Sequence, residues 1–198
     1  AILADEAQRE RWLEPLLSGE HRLALAWQEA EARYDAHNIV TRAERRAEGW
    51  VLEGTKQVVL AAASAEALLV TARLASGRLG IFLVPIDSDG ISRRDYPTLD
   101  GREACDIEFS GVILPQDACL SDNAGEALDA ALALGRSALC AEAVGAMEVA
   151  CDQTLAFLKE RRQFGQPLAT FQVLQHRMVD MHLNLEQARS MAILAATS

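Results

Sequence analysis

The groups in this chain that could do chemistry are a few carboxylates, one histidine–aspartate pair, four cysteines and a run of arginines. Glu142 and Glu148 sit in an alanine-rich apolar stretch. Each could serve there as a general base, or could simply face solvent or a partner helix. His176 and Asp180 stand four residues apart, which places them on one helical face. That spacing could hold a metal ion, pair a base with its orienter, or make only a surface hydrogen bond, and no third ligand stands in view. Cys105, Cys119, Cys140 and Cys151 never form a C-x-x-C pair and read as small core residues, with no metal expected. No G-x-G-x-x-G, P-loop or G-x-S-x-G is present, so the usual nucleotide-binding and hydrolase signatures are missing.

Positioning these groups requires elements that the hydrophobic pattern supplies. Asp5 to Gly19 has Trp12, Leu13, Leu16 and Leu17 on one side and ends at Ser-Gly, which reads as a short amphipathic helix. From His21 to Pro115, short apolar runs alternate with turn signals, and the clearest strands are 50–52, 58–60, 68–72, 81–84 and 106–109, with 112–114 beyond. A small antiparallel barrel or sandwich is expected. Between Pro115 and Pro167, apolar and small residues recur at helical period. This predicts one long helix, with Ser121 and Asp122 as caps, Lys159, Arg161 and Arg162 in its last turn and Gly165 as its stop. A second helix is expected from Thr170, with an apolar stripe of Phe171, Leu174, Met178, Met181 and Leu185. The short connection makes the two helices antiparallel neighbours. The fold class is therefore α+β, with domains at 21–120 and 121–198 and a helical remnant at 1–20.

The chain has 198 residues, half of them apolar, with 19 Lys plus Arg against 29 Asp plus Glu and a net charge of −10. That charge has the wrong sign for nucleic acid as principal partner. The apolar runs are broken by charge before the roughly 20 residues a bilayer span needs. No membrane span and a cytoplasmic location are therefore expected.

One stretch is more specific than any of these patterns. Glu160-Arg-Arg-Gln-Phe-Gly165, a short turn, then Phe171-Gln172, Gln175-His176 and Asp180-Met181 resemble the helical-domain signature of acyl-CoA dehydrogenases, which are flavoenzymes. Upstream, Gly49-Trp-Val-Leu-Glu-Gly-Thr-Lys56, Leu69-Val-Thr-Ala-Arg73, Ile81-Phe-Leu-Val-Pro85 and Phe109-Ser-Gly-Val-Ile-Leu-Pro115 are similar to the middle β domain of that family, in the same order. The resemblance implies a fragment: the end of an N-terminal helical domain, the β domain and the first two helices of a four-helix domain.

It also implies a chemistry. A carboxylate takes the α proton of an acyl-CoA thioester while the β hydride passes to FAD. In most members the base lies late in the C-terminal domain, and in some it lies at the position matched here by Gly135, so no catalytic residue is expected in this chain. Arg161, Phe164 and Gln172 match positions that contact FAD. A guanidinium suits a diphosphate because it donates two parallel hydrogen bonds, whereas the plainer role for Arg161 is to cap its helix. Arg136 matches an arginine near the acyl-CoA, and its plainer role is a surface ion pair.

The flavin-facing loops depart from the family. Its T-E-P-x-A-G-S-D loop is Gln28-Glu-Ala-Glu-Ala-Arg-Tyr-Asp35 here, and its W-I-T-N segment is Val58-Val-Leu-Ala61. Gln28 keeps an amide donor, Tyr34 replaces a serine and Leu60 offers only packing. FAD binding by the fragment is expected to be weak, absent or rearranged. Two alternatives follow: a non-catalytic partner subunit, as in bacterial heteromeric members, or a small carrier of apolar ligands. The expected partners are acyl-CoA and homologous subunits through the helical domain, with the electron acceptor unassigned.

Overall fold

The computed structural model describes residues 6–197. A helical stretch comes first: α1 (Glu6–Gln8), a π-helical turn over Arg9–Leu13 and α2 (Glu14–Ser18). It stops where Gly19 adopts the left-handed conformation, φ 81°. The helix expected there is present, with Asp5 outside the described residues.

Eight strands follow: β1 (Leu23–Ala26), β2 (Arg42–Arg46), β3 (Gly49–Leu60), β4 (Ala67–Leu74), β5 (Leu79–Pro85), β6 (Ile91–Pro97), β7 (Glu103–Leu114) and β8 (Cys119–Ser121). They form one sheet in the order β6-β7-β3-β2-β4-β5-β8, with β1 also pairing on β4. Both β1 and β2 run parallel to β4, and every other pair in the sheet is antiparallel. The α+β class is as expected, but the sheet is mixed and no closed barrel is found among the described residues. Parallel neighbours need a long return, and the chain between β1 and β4 is long enough to supply it.

Alternate residues of these strands make the core. Leu52, Val59, Leu68, Val70, Phe82, Val84, Ile107, Phe109, Val112 and Leu114 are almost completely buried. Trp50 meets Phe82 edge to face, with ring centroids 5.1 Å apart. The runs at 50–52 and 58–60 belong to one strand, β3, whose register against β7 shifts twice.

The helical part has α3 (Gly125–Glu160) and α4 (Gln172–Thr197). Between them lie the two-residue strands β9 (Arg162–Gln163) and β10 (Gln166–Pro167) and a 3₁₀ turn at Leu168–Thr170. Several expected details are corrected here. α3 ends at Glu160, so Arg161 and Arg162 lie beyond its last turn, and Gly165 is part of a hairpin turn rather than a helix stop. Phe164 and Gly165 both have positive φ, 53° and 79°, as a two-residue hairpin turn of the mirror-image type requires. Ser121 is in β8, and Asp122 pairs with Arg78 instead of capping.

The chain divides into two compact units, one up to Asp129 and one from Ala130. Within the second, Arg189 donates to Glu148 at 3.3 Å and so ties α4 to α3. Leu185 is buried, and Phe171, Leu174, Met178 and Met181 are half-buried. That stripe is therefore largely covered, while Leu134, Phe157, Val179 and Leu183 are exposed. By length and composition α3 is able to cross a bilayer, which corrects the expectation that no segment could.

Candidate functional site

In the β unit, the loop that leaves β1, runs through Gln28–Asp35 and returns to β2 at Thr41 is closed at its base. Glu29 is buried, and its carboxylate accepts the Val40 N–H at 2.6 Å and the Thr41 N–H at 3.1 Å. Those two bonds join the start of the loop to its end. The same carboxylate accepts Lys56 Nζ at 2.6 Å, and Lys56 also donates to Thr71 Oγ1 at 2.9 Å. Lys56 is an inward-facing residue of β3 and is completely buried. Burial pushes its pKa down to about 8, with the Glu29 hydrogen bond and charge opposing that shift. Burial raises Glu29 in turn, but the Lys56 contact and the Thr41 and Val40 bonds outweigh it and hold the carboxyl below its ordinary range.

Gly54 makes this arrangement possible. With φ 141°, it lies so close to Thr41 that a Cβ would come within 2.6 Å of the Thr41 Cα. Next to it, the Gln57 N–H donates to the Gln28 carbonyl at 2.9 Å, which joins β3 to the loop. The Gln28 side chain is half-buried and Tyr34 is fully exposed, so only the first of these two expected residues lies where the strand meets the loop. Val58 and Leu60 expose 40% and 46% of their surface on the outer face of β3.

A second cluster lies at the β6 side. Asp106 accepts the Val58 N–H at 3.1 Å, the Tyr96 hydroxyl at 2.8 Å and Arg94 Nη2 at 2.7 Å. Burial raises the Asp106 pKa, but the bonds from Arg94, Tyr96 and Val58 more than offset this and hold it below the usual carboxylate range. Burial and the adjacent Asp106 push Tyr96 up.

In the helical unit, the hairpin between α3 and α4 brings three expected residues into one short stretch. Arg161 is exposed, and among the described residues its guanidinium meets neither a carboxylate nor a helix carbonyl. It therefore does not act as a cap. The Phe164 ring is 90% exposed and sits edge to face with Phe171, centroids 6.2 Å apart. Gln172 is the exposed first residue of α4. A free guanidinium, an open aromatic ring and an amide at a helix start form a donor set that fits a diphosphate with an attached ring system.

The remaining expected residues are scattered. Arg136 is exposed on α3 and makes no ion pair among the described residues. Gly135 has open space around it, with no atom within 4 Å of where a Cβ would stand. Glu148 is engaged by Arg189. The cysteines are unbridged.

Comparison with known proteins fits this geometry. Residues 24–112 match the family description "Acyl-CoA dehydrogenase, middle domain", and residues 124–198 match "Acyl-CoA dehydrogenase, C-terminal domain". The chain belongs to the acyl-CoA dehydrogenase family. It is 33% identical to the mitochondrial isovaleryl-CoA dehydrogenase of Arabidopsis thaliana, over 93% of this chain and 47% of that protein. Glutaryl-CoA dehydrogenase of Mycobacterium smegmatis, solved in complex with FADH2, superposes with a TM-score of 0.90 at 25% identity, covering 96% of this chain and 50% of the other. A glutaryl-coenzyme A dehydrogenase–glutaryl-CoA complex gives a TM-score of 0.90 at 27% identity, covering 98% and 51%. The chain spans about half the length of the relatives it matches.

Sequence reasoning missed the Glu29–Lys56–Thr71 network and the Asp106 cluster. The signal for the first was present: Lys56 follows Leu52 at even spacing on the inward face of β3, and a buried ammonium requires a carboxylate.

Proposed function

We propose that this chain serves an FAD-dependent acyl-CoA dehydrogenase, in which the α,β-dehydrogenation of an acyl-CoA thioester passes a hydride to the flavin. The observation that carries this reading is the exposed and unpaired Arg161 guanidinium beside Phe164 and Gln172 at the hairpin. Arg161 would hold the diphosphate, Phe164 would pack on a ring of the cofactor and Gln172 would donate its amide. In the β unit, Gln28 and the outer face of Val58–Ala61 would meet the isoalloxazine, mainly through apolar surface. Tyr34, being fully exposed, would contribute at most from the rim. Bound FAD would supply hydride acceptance, and this chain would supply binding and orientation.

Arg136 would approach the acyl-CoA, and homologous subunits would associate through the helical unit. Gly135 cannot take a proton, so the chain by itself would not catalyse the reaction. A non-catalytic partner subunit is the second reading, favoured by the absence of hydroxyls at Gln28 and Leu60. The test is the visible absorbance of the purified complete protein, followed by reduction of a dye with an acyl-CoA. A flavin band that acyl-CoA bleaches supports the enzyme. A colourless protein supports the partner subunit, for which a homologous chain would supply flavin and base, and a flavin band that acyl-CoA leaves unchanged contradicts both readings.

A further inference from the structure

The Asp106 cluster lies outside the contacts proposed above, yet it holds the one strained residue of β3. Lys56 pairs with Ile107 and Val59 with Cys105, so Gln57 and Val58 together face the single residue Asp106. This is a β-bulge, and Val58 within it has φ 52°. A β-branched residue rarely adopts that conformation, and it persists only where its surroundings hold it. Asp106 provides the hold. Its Oδ1 accepts the Val58 N–H at 3.1 Å, while Tyr96 and Arg94 fix the carboxylate from β6 at 2.8 and 2.7 Å.

The bulge decides which side chains face outward. Val59 beyond it is buried, and Leu60 is exposed. Straightening the strand by one residue would exchange these two faces. The bulge also positions the Gln57 N–H that donates to the Gln28 carbonyl.

We propose that Asp106 is a positioning residue for the cofactor: through the Val58 amide it holds the bulge that sets the outward face of Val58–Ala61 and anchors the Gln28 end of the loop. This rests on the FAD reading above, which assigns that face to the isoalloxazine. Asp106 itself need not touch the ligand. A glycine at position 58 would adopt the left-handed conformation unaided, so the demand for Asp106 disappears if Val58 is replaced by glycine.

That relation gives a test which a merely structural role would not pass. FAD is titrated into the complete protein as parent, Asp106→Ala, Val58→Gly and the double variant, following flavin fluorescence and the visible band. Asp106→Ala is expected to raise the FAD dissociation constant at least tenfold and to shift the band. In the Val58→Gly background the same change is expected to cost threefold or less. If Asp106→Ala does not fold, Asp106→Asn takes its place; it keeps an oxygen for the Val58 amide but loses the charge that Arg94 holds, and its smaller penalty must likewise vanish with Val58→Gly. A penalty that is absent, or equal in both backgrounds, overturns the proposal while leaving the FAD reading intact. A parent that binds no FAD overturns both.

Discussion

Lys56 donates to Glu29 at 2.6 Å inside the β unit, with the two side chains 0% and 2% exposed. A buried pair of this kind contributes little net stability, because desolvation offsets the attraction, but breaking it leaves a charge without a partner. Here the pair also serves geometry, since Glu29 closes its loop onto Val40 and Thr41. Glu29→Gln keeps a single acceptor oxygen for those amides, presents an N–H donor where Lys56 needs an acceptor, and removes the charge. It is expected to lower unfolding stability by about 3 kcal/mol, read as a lower denaturant midpoint with an unchanged slope.

The same substitution has a pH signature. In the parent, Lys56 is already held near 8, and loss of Glu29 lowers it further. A lysine whose pKa is lower folded than unfolded releases its proton first in the fold, so stability rises with pH between the folded value and about 10.4. Glu29→Gln is therefore expected to recover part of its lost melting temperature between pH 7 and pH 9. A loss that stays constant across that range would mean that the variant's lysine keeps the folded pKa it has in the parent.

Acid acts in the opposite direction on the parent. Glu29 and Asp106 are both held below their ordinary pKa, and Asp100 is lowered to about 2 by Thr98 and Arg102. The stability these carboxylates provide is fully present above their unfolded pKa values, about 4, and is lost as pH falls through the folded ones. The melting temperature should hold from pH 7 to 5 and drop below that, with a shallower drop in Asp106→Asn.

The helical unit should associate through its open face rather than through the covered stripe. Val179 and Leu183 are more than half exposed, whereas Met178 and Met181 are half-buried. Light scattering should show at least a dimer, and Val179→Glu with Leu183→Glu should shift it toward monomer while keeping helix content. Met178→Glu with Met181→Glu should instead unfold the helical pair, since it places two charges at half-buried positions.

Gly135 tests the missing base. A Cβ there meets nothing within 4 Å, and glycine is a poor helix residue, so Gly135→Glu should stabilise α3 by about 0.5 kcal/mol. The isolated chain should reduce no dye with acyl-CoA. Turnover by that chain would show that another carboxylate acts as base.

Much of the architecture could be read from the pattern of residues, and its failures have physical causes. β4 and β5 show as apolar runs because both their faces are largely covered, whereas β7 shows by alternation, with Ile107, Phe109, Val112 and Leu114 buried and Glu108 and Ile113 exposed. β2 and β6 do not, since Arg42-Ala-Glu-Arg-Arg46 buries only Ala43 and Ile91–Pro97 is a charged edge strand with no side fully covered. The parallel pairings of β4 come from long-range returns that local periodicity does not encode. Arg161, Phe164 and Gln172 stand together in one local stretch, so their proximity could be read from the sequence. Tyr34 stands fully exposed in its loop, which its residue type did not foretell, and the Asp106 cluster was invisible because it depends on a bulge in a neighbouring strand.

The measurement that bears most directly on the account is the FAD dissociation constant of the complete protein with and without the Arg161 guanidinium. A charge-assisted pair to a diphosphate is worth about 2 kcal/mol. Arg161→Ala should therefore raise that constant more than tenfold while leaving the melting temperature of the apoprotein within a degree or two, since the exposed Arg161 side chain makes no hydrogen bond or ion pair among the described residues. An unchanged constant would contradict the account and leave Arg161 as an exposed charge beyond the end of a helix.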